Sequence, residues 1–362
     1  MKLLKKSLMI LLSLILVVSL AACTPKQEEA ANEPATEENT EAVSEDLEDK
    51  LVIYSTHGED MLEVVAAGFT EKTGVEVEFI NLKGELADRV RAEKDSPQAD
   101  IMYGGASSLY ITMSEEGIFE SINPSWSSSL NPDFKDAESR WFGVMQTPVA
   151  IFYNSDVIAE ADAPTSWADL ADAKYKDKIV SRDYVSSSQR AVIVGLLDYY
   201  SKNASFEEGV EYLKMLDSNT KNYYGSGSLH FQAVGKNEAP ISYGVLSSIT
   251  DNINNNAMPL KIVDAKEGSI VITDAIAAIK NAPHPNAAKA FVEYAGSEEV
   301  QVKLANEFDR MPTLESAIPQ GPEWMQTPLK SMKIDWKNVA ENELDWLNKW
   351  DTEIRDSAKD IQ

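Results

Sequence analysis

From Leu51 onward, apolar positions switch between a continuous or period-two rhythm and a helical one. Leu51-Val52-Ile53-Tyr54 is an unbroken apolar run that opens into Ser55-Thr56-His57-Gly58, the form of a buried strand ending in a polar turn. Met61, Leu62, Val65 and Phe69 then recur at helical spacing, and Gly74 suits the position just past a helix end. Val75, Val77 and Phe79 alternate with Glu76 and Glu78, which predicts a second strand. A short helix over 85–94 leads to Asp100-Ile101-Met102-Tyr103, a third strand running into Gly104-Gly105-Ala106-Ser107-Ser108. Strand, helix, strand, helix, strand predicts an α/β fold with a parallel sheet and helices on its faces. Ligands of open α/β sheets sit outside the carboxyl ends of the strands. The small and polar turns at Ser55, Thr56 and His57, at Lys83-Gly84-Glu85, and at Gly105, Ala106 and Ser107 are therefore candidates for one site.

The later pattern is sparser. Thr147-Pro148 opens an extended apolar run through Asn154, and Lys178-Ile179-Val180 reads as a strand. After it come Arg182 and the cluster Ser186-Ser187-Ser188, then a helix from Arg190 to Ser201. Clustered serines before a helix supply caps and free hydroxyl donors. Ser205 to Glu208 has the form of a capping box. Gly225-Ser226-Gly227-Ser228 is a further small-residue turn leading to a helix, and Pro240 to Gly244 reads as a short strand carrying Tyr243. Strands at 260–263 and 270–272, helices at 286–296 and 298–306, and an amphipathic stretch over 338–359 complete the pattern. In the last stretch, Trp346 and Trp350 share a face, as core residues do.

Ahead of Leu51 the rhythm differs. Lys2, Lys5 and Lys6, the apolar segment to Val18, and Leu20-Ala21-Ala22-Cys23 have the form of a signal peptide over 1–22, with an apolar region too short for a comfortable membrane span. Residues 23–50 hold ten acidic and two basic residues and almost no large apolar side chain, the composition of a disordered tether. The whole chain, at 362 residues and net charge −26, is long enough for two lobes and a poor partner for nucleic acid. Its lone cysteine permits neither an intrachain disulfide nor a cysteine-based metal cluster.

Catalytic signatures are missing from the sequence: it contains no nucleophile elbow, Walker A loop or metalloprotease helix, and His57, His230 and His284 show no metal-ligand spacing. His284, between two prolines, reads as an exposed loop residue. No enzyme and no cofactor is expected. What the small-residue turns offer is backbone N–H groups and hydroxyls, which suit phosphate, phosphonate or carboxylate. Arg182 could add a bidentate contact to such a group. The candidate ligand-binding set is Ser55, Thr56, His57, Gly105, Ala106, Ser107, Arg182, Ser186, Ser187, Ser188, Ser226, Ser228 and Tyr243.

Leu20-Ala21-Ala22-Cys23 resembles the lipobox of bacterial lipoproteins, which implies acylation of Cys23. In order, the strand-turn Val52 to His57, Val149 to Asn154, Pro164-Thr165-Ser166-Trp167-Ala168-Asp169-Leu170 and Tyr175 to Ile179 resemble the extracellular solute-binding proteins of ABC importers, in the branch with ferric-iron, sugar-phosphate and aminoethylphosphonate binders. The resemblance implies a two-lobed type II periplasmic-binding-protein-like fold with a hinge and an interlobe cleft. Its lobes would be 51–147 plus 273–320 and 148–272 plus 321–362. It also implies a small solute and the permease's transmembrane subunits as partners, a monomer, and a lipid anchor on the outer face of the bacterial cytoplasmic membrane. Ferric-iron members use two adjacent tyrosines, often with a histidine and a glutamate. Here His57 matches the histidine, Tyr243 is the one phenol at the tyrosine position, and Ala106-Ser107-Ser108 stands in the glutamate region. An organic anion is therefore the expected solute, and iron held by His57 and Tyr243 the alternative.

Overall fold

The computed structural model describes residues 47–82, 85–359 and 361–362. The expected signal peptide, acylated Cys23 and most of the tether lie outside the described residues, as do Lys83 and Gly84 of the second turn. Residues 47–50, assigned by the sequence to the tether, belong to the fold. The Glu48 carboxylate accepts from the backbone N–H groups of Asn286 and Ala287, and Leu47 packs on the core.

The chain runs β1 (Lys50–Ser55), α1 (Glu59–Thr73), β2 (Glu76–Asn81), α2 (Leu86–Ala92), β3 (Ile101–Ala106) and α3 (Ser107–Glu115), then β4 (Phe142–Asn154), β5 (Ile179–Arg182), α4 (Ser187–Asn203) and α5 (Phe206–Asn219). It continues as β6 (Thr220–Tyr224), α6 (Gly227–Gly235), β7 (Ile241–Val245), α7 (Leu246–Asn254), β8 (Leu260–Val263), β9 (Ile270–Ala278), α8 (Pro285–Ala295), α9 (Glu298–Phe308), β10 (Met311–Pro312) and α10 (Trp336–Lys349). The sheet order is β2-β1-β3-β9-β4-β7-β5-β6, with β8 and β10 pairing on β4.

Each end of this sheet is parallel and each middle pairing antiparallel. β1 pairs parallel with β2 and β3, and β5 with β6 and β7, whereas β9 and β4 run against their neighbours. β4 is long enough to serve both halves: Met145 and Gln146 pair with β10, while Val149 to Tyr153 pair with β7. β9 does the same, pairing with β3 at Ile276 to Ala278 and with β4 from Ile270 onward. Two α/β halves therefore share a pair of crossing strands, the construction that permits hinge motion.

The parallel strands are buried on both faces, as their continuous apolar runs require. Leu51 and Ile53 pack with Phe69 and Phe291 on one side, Val52 and Tyr54 with Met102 and Tyr110 on the other. In the second half, Ile151, Ile179 and Tyr243 join one cluster and Phe152, Val180 and Phe231 another. Trp346 and Trp350 are core residues of the former. α1 ends at Gly74 (φ 79°), whose N–H bonds Thr70 O at 2.8 Å. Ser205 caps α5 through the Glu208 N–H.

His284 is not an exposed loop residue. It precedes the first residue of α8, half-buried, with Nδ1 2.8 Å from the buried Asp100 carboxylate, whose oxygens also accept from the N–H groups of Val52 and His284. The flanking prolines signalled a turn, but the partner lies 184 residues away in sequence. β4 starts at Phe142, ahead of Pro148, because a proline whose N–H side is unpaired can sit within such a strand.

Candidate functional site

β1 and β3 deliver the first wall. Where β1 ends, the Ser55 hydroxyl donates to Tyr103 O at 2.7 Å and accepts from the His57 N–H at 3.0 Å. The Asn81 side-chain amide donates to His57 O at 2.7 Å, so the turn is held from both flanks. The His57 ring lies edge-on to Tyr103, with centroids 4.7 Å apart, and over Gly104. Gly104 (φ +94°) is required twice: its backbone is left-handed, and a Cβ there would stand 2.6 Å from both His57 Nε2 and Thr56 Oγ1.

Here the structure leaves polar atoms unmatched. His57 Nε2, the Tyr103 hydroxyl and Arg310 Nε are all buried without a hydrogen-bond partner. An orphaned buried polar atom costs about 1–3 kcal/mol, and native interiors hold few of them. Burial and the Arg310 charge push the His57 imidazole down to about 3, so it is neutral. Burial, then the Asp274 charge, pushes the Tyr103 phenol up, so it keeps its proton. Burial likewise raises the Asp274 carboxyl, against hydrogen bonds from the Thr147 hydroxyl (2.9 Å) and the Gly105 backbone. Arg310 lines a cavity with Gln146, Thr147, Pro148, Val245, Ser247, Asp309 and Trp324, beside the crossing strand β4 and the start of α7. Among the described residues, Arg310 is the arginine with neither a hydrogen-bond acceptor nor a carboxylate within ion-pair distance. Arg89, Arg91, Arg140, Arg190 and Arg355 have acidic partners, and Arg182 has backbone carbonyls.

Helix starts divide the same way. α5, α9 and α10 begin with a side-chain cap from Ser205, Ser297 and Asp335. α1, α3, α4, α6 and α7, each following the carboxyl end of a strand, begin at Gly58, Ala106, Ser186, Ser226 and Val245 with no side-chain cap. In α1 the Met61 N–H is taken by the Asp60 carboxylate at 2.9 Å; the first-turn N–H groups of α3, α4, α6 and α7 are left to solvent or to a solute, and each start carries a partial positive charge.

The candidate residues named from sequence are placed unevenly. Thr56, His57, Gly105 and Ala106 lie at the two first-half turns, with Ser55 and Ser107 buried beneath them. Ser186, Ser187 and Ser188 start α4, with the hydroxyls of Ser186 and Ser188 3.0 Å apart; Ser226 and Ser228 start α6. Arg182 instead donates to the carbonyls of Tyr224 (3.1 Å) and Gly225 (2.9 Å), fixing the turn into α6. The Tyr243 hydroxyl is buried and accepts from Gln189 at 3.1 Å, while its ring packs on Trp167. The phenols of Tyr223 and Tyr224 donate to Asp217 and Glu238, away from the cavity. Sequence reasoning missed Tyr103, Asp274, Arg310 and the first turn of α7. Arg310 reaches the site only because two-residue β10 pairs with β4 across some 165 positions, and a strand that short leaves no periodic signal.

Two halves that share crossing strands, with uncapped helix starts and an unpaired arginine at the crossing, define a hinged solute-binding protein. The chain belongs to the family of bacterial extracellular solute-binding proteins, whose model matches residues 96–342. It is 30% identical, over 85% of its length and 87% of the relative's, to a probable ABC transporter periplasmic-binding protein of Sinorhizobium fredii. A putative 2-aminoethylphosphonate-binding periplasmic protein of Salmonella typhimurium is 22% identical over 84% of this chain and 92% of its own. Among solved structures, AfuA of Actinobacillus pleuropneumoniae with exogenous fructose 6-phosphate bound superposes with a TM-score of 0.68 at 25% identity, covering 84% of this chain and 98% of that one. Apo ferric ion-binding protein A of Pasteurella haemolytica gives 0.76 at 19% identity, covering 86% and 100%, a likeness of fold.

Proposed function

We propose that this protein captures a small anionic solute, an organophosphate, phosphonate or similar compound, outside the cytoplasm and passes it to the transmembrane subunits of an ABC importer. The observation that carries the reading is Arg310, a guanidinium with a buried unpartnered Nε beside the uncapped start of α7 in a chain of net charge −26. With so many carboxylates available, an arginine left unpaired in a cavity is most simply reserved for an anion brought from outside. Relatives named for a phosphonate and a structure titled with a sugar phosphate support the same class. In this reading, lobes 51–147 plus 273–320 and 148–272 plus 321–362 close on the solute about β4 and β9, and Cys23 is acylated to hold the protein at the outer face of the membrane.

Relatives named as ferric-iron binders supply a second reading. It needs anionic oxygen ligands for a hard trivalent cation. The phenols of Tyr223, Tyr224 and Tyr243 are engaged elsewhere, and the Arg310 charge opposes a cation beside His57. A thermal-shift panel of 2-aminoethylphosphonate, fructose 6-phosphate, inorganic phosphate and ferric citrate separates the two. A solute at 100 times its Kd adds about 2.7 kcal/mol to stability, and the expected result is protection by one or more phosphorus anions. Protection by ferric citrate alone, with a visible phenolate-iron colour, would reverse the assignment.

A further inference from the structure

The residue next to Arg310 is an acid, and it lines the same cavity. α9 ends on Asp309 in the left-handed region (φ 53°), and the Arg310 N–H bonds Leu304 O at 3.2 Å, the six-to-one bond of a Schellman end. This turn leads the chain from α9 into β10, with Arg310 between them. Glycine is the usual residue at such a position; aspartate and asparagine tolerate it because their short polar side chains bond locally. An aspartate there also sets a carboxylate one residue from the arginine.

A carboxylate and a guanidinium that line one cavity attract, and a direct pair would satisfy both. The pair is not made: among the described residues, Arg310 has no carboxylate within ion-pair distance. Asp309 Oδ1 accepts instead from the indole N–H of Trp324 at 3.2 Å. Trp324 lies in a single turn over Glu323–Met325 and lines the cavity as well. Its ring packs on two apolar clusters, that of Ala305, Met311 and Met325 and that of Phe152 and Phe231. Apolar contacts therefore fix the indole, and its one polar atom holds the carboxylate.

Resting on the anion reading above, we infer that Trp324 is a positioning residue, whose indole N–H keeps the Asp309 carboxylate off Arg310 and so keeps the guanidinium free for a solute. Without that bond Asp309 turns to Arg310 and competes with the solute as an anion of the protein's own. The effect of Trp324 on affinity runs through Asp309, and it vanishes when residue 309 carries no charge.

Two readouts on the full chain test this. The first needs no solute: arginines are labelled with phenylglyoxal and followed site by site by mass spectrometry. In the wild type, Arg310 should react faster than Arg140 and Arg355, which are also half-buried but are ion-paired. In Trp324→Phe, which keeps an aromatic ring and loses the N–H, the Arg310 rate should fall about fivefold. In the double variant Trp324→Phe, Asp309→Asn it should return to the wild-type rate. The second readout is the Kd for whichever of 2-aminoethylphosphonate, fructose 6-phosphate and inorganic phosphate protects the wild type. It should weaken about fivefold in Trp324→Phe, recover in the double variant, and be no weaker than wild type in Asp309→Asn alone. Slow labelling of Arg310 in the wild type overturns the inference even if Trp324→Phe does not fold. An unchanged rate in Trp324→Phe overturns it, as does a loss that survives in the double variant. Weaker binding by Asp309→Asn also overturns it, because Asp309 would then contact the solute. If none of the three anions binds, the anion reading falls, and the labelling still decides whether Trp324 keeps Asp309 from Arg310.

Discussion

Burial sets the charge of both interior histidines. His57 and His230 are pushed from 6.5 down to about 3, first by burial and then by the charges of Arg310 and Arg182. The unfolded chain therefore takes up protons that the folded chain refuses, so this stability is intact above about pH 6.5 and is lost as pH falls toward about 3. Asp274 acts in the opposite sense, because its raised carboxyl is relieved of a folded-state cost once protonated in acid. The melting temperature should thus drop as pH is lowered from about 6.5, and His57→Gln should flatten the drop. An unchanged slope in that variant would place the acid sensitivity elsewhere. Because His57 stays neutral, it should add no step of its own near pH 6.5 to solute affinity, beyond the ionisation of the solute itself. Arg182 gives a second residue-scale expectation. Its two bonds to carbonyls hold the turn into α6, so Arg182→Ala should cost about 1–3 kcal/mol of stability, read from the denaturant midpoint. A tenfold loss of solute affinity at unchanged stability would instead make it a direct contact. His57 was legible in the sequence because its turn is local; Arg310 and Asp274 were not, because only the pairing of distant strands brings them together.

Among the elements, α10 bridges the two halves. It packs against α3 of one half and α4 of the other. Its Glu343 carboxylate accepts from the Ser108 hydroxyl in the first turn of α3 and from Arg190 in the first turn of α4, both at 3.3 Å, and Lys337 pairs with Glu115 of α3 at 3.0 Å. Exposed pairs of this kind contribute about 0–1 kcal/mol each, too little to fix one state but enough to tilt a closure equilibrium. Glu343→Ala should leave the melting temperature nearly unchanged and enlarge the contraction seen by small-angle scattering on solute addition. Scattering profiles identical to wild type with and without solute would remove α10 from the closure step. The helix itself was readable from its amphipathic pattern, and so were β1 to β3, whose strand-helix alternation is local. β6 was not: Thr220-Lys221-Asn222-Tyr223-Tyr224 has a polar centre and reads as a lead-in to the turn, yet all of it but Lys221, where the register shifts, pairs with β5.

The molecule as a whole combines a strongly acidic composition with a cavity in which Arg310 keeps an unpartnered N–H. In the anion reading, the net charge of −26 repels the solute at long range, so capture would rest on Arg310 and oriented N–H groups acting over a few ångströms, where salt screens little. Two halves that share crossing strands and are both packed against α10 would, in that reading, close the cavity around a solute and exclude water, which strengthens each charged contact. The measurement that bears most directly on this account is an equilibrium titration of the protecting phosphorus anion into wild type and Arg310→Gln. The account predicts at least a tenfold weaker Kd in the variant, about 1.4 kcal/mol, with the ligand-free melting temperature nearly unchanged. An unaltered Kd would contradict it.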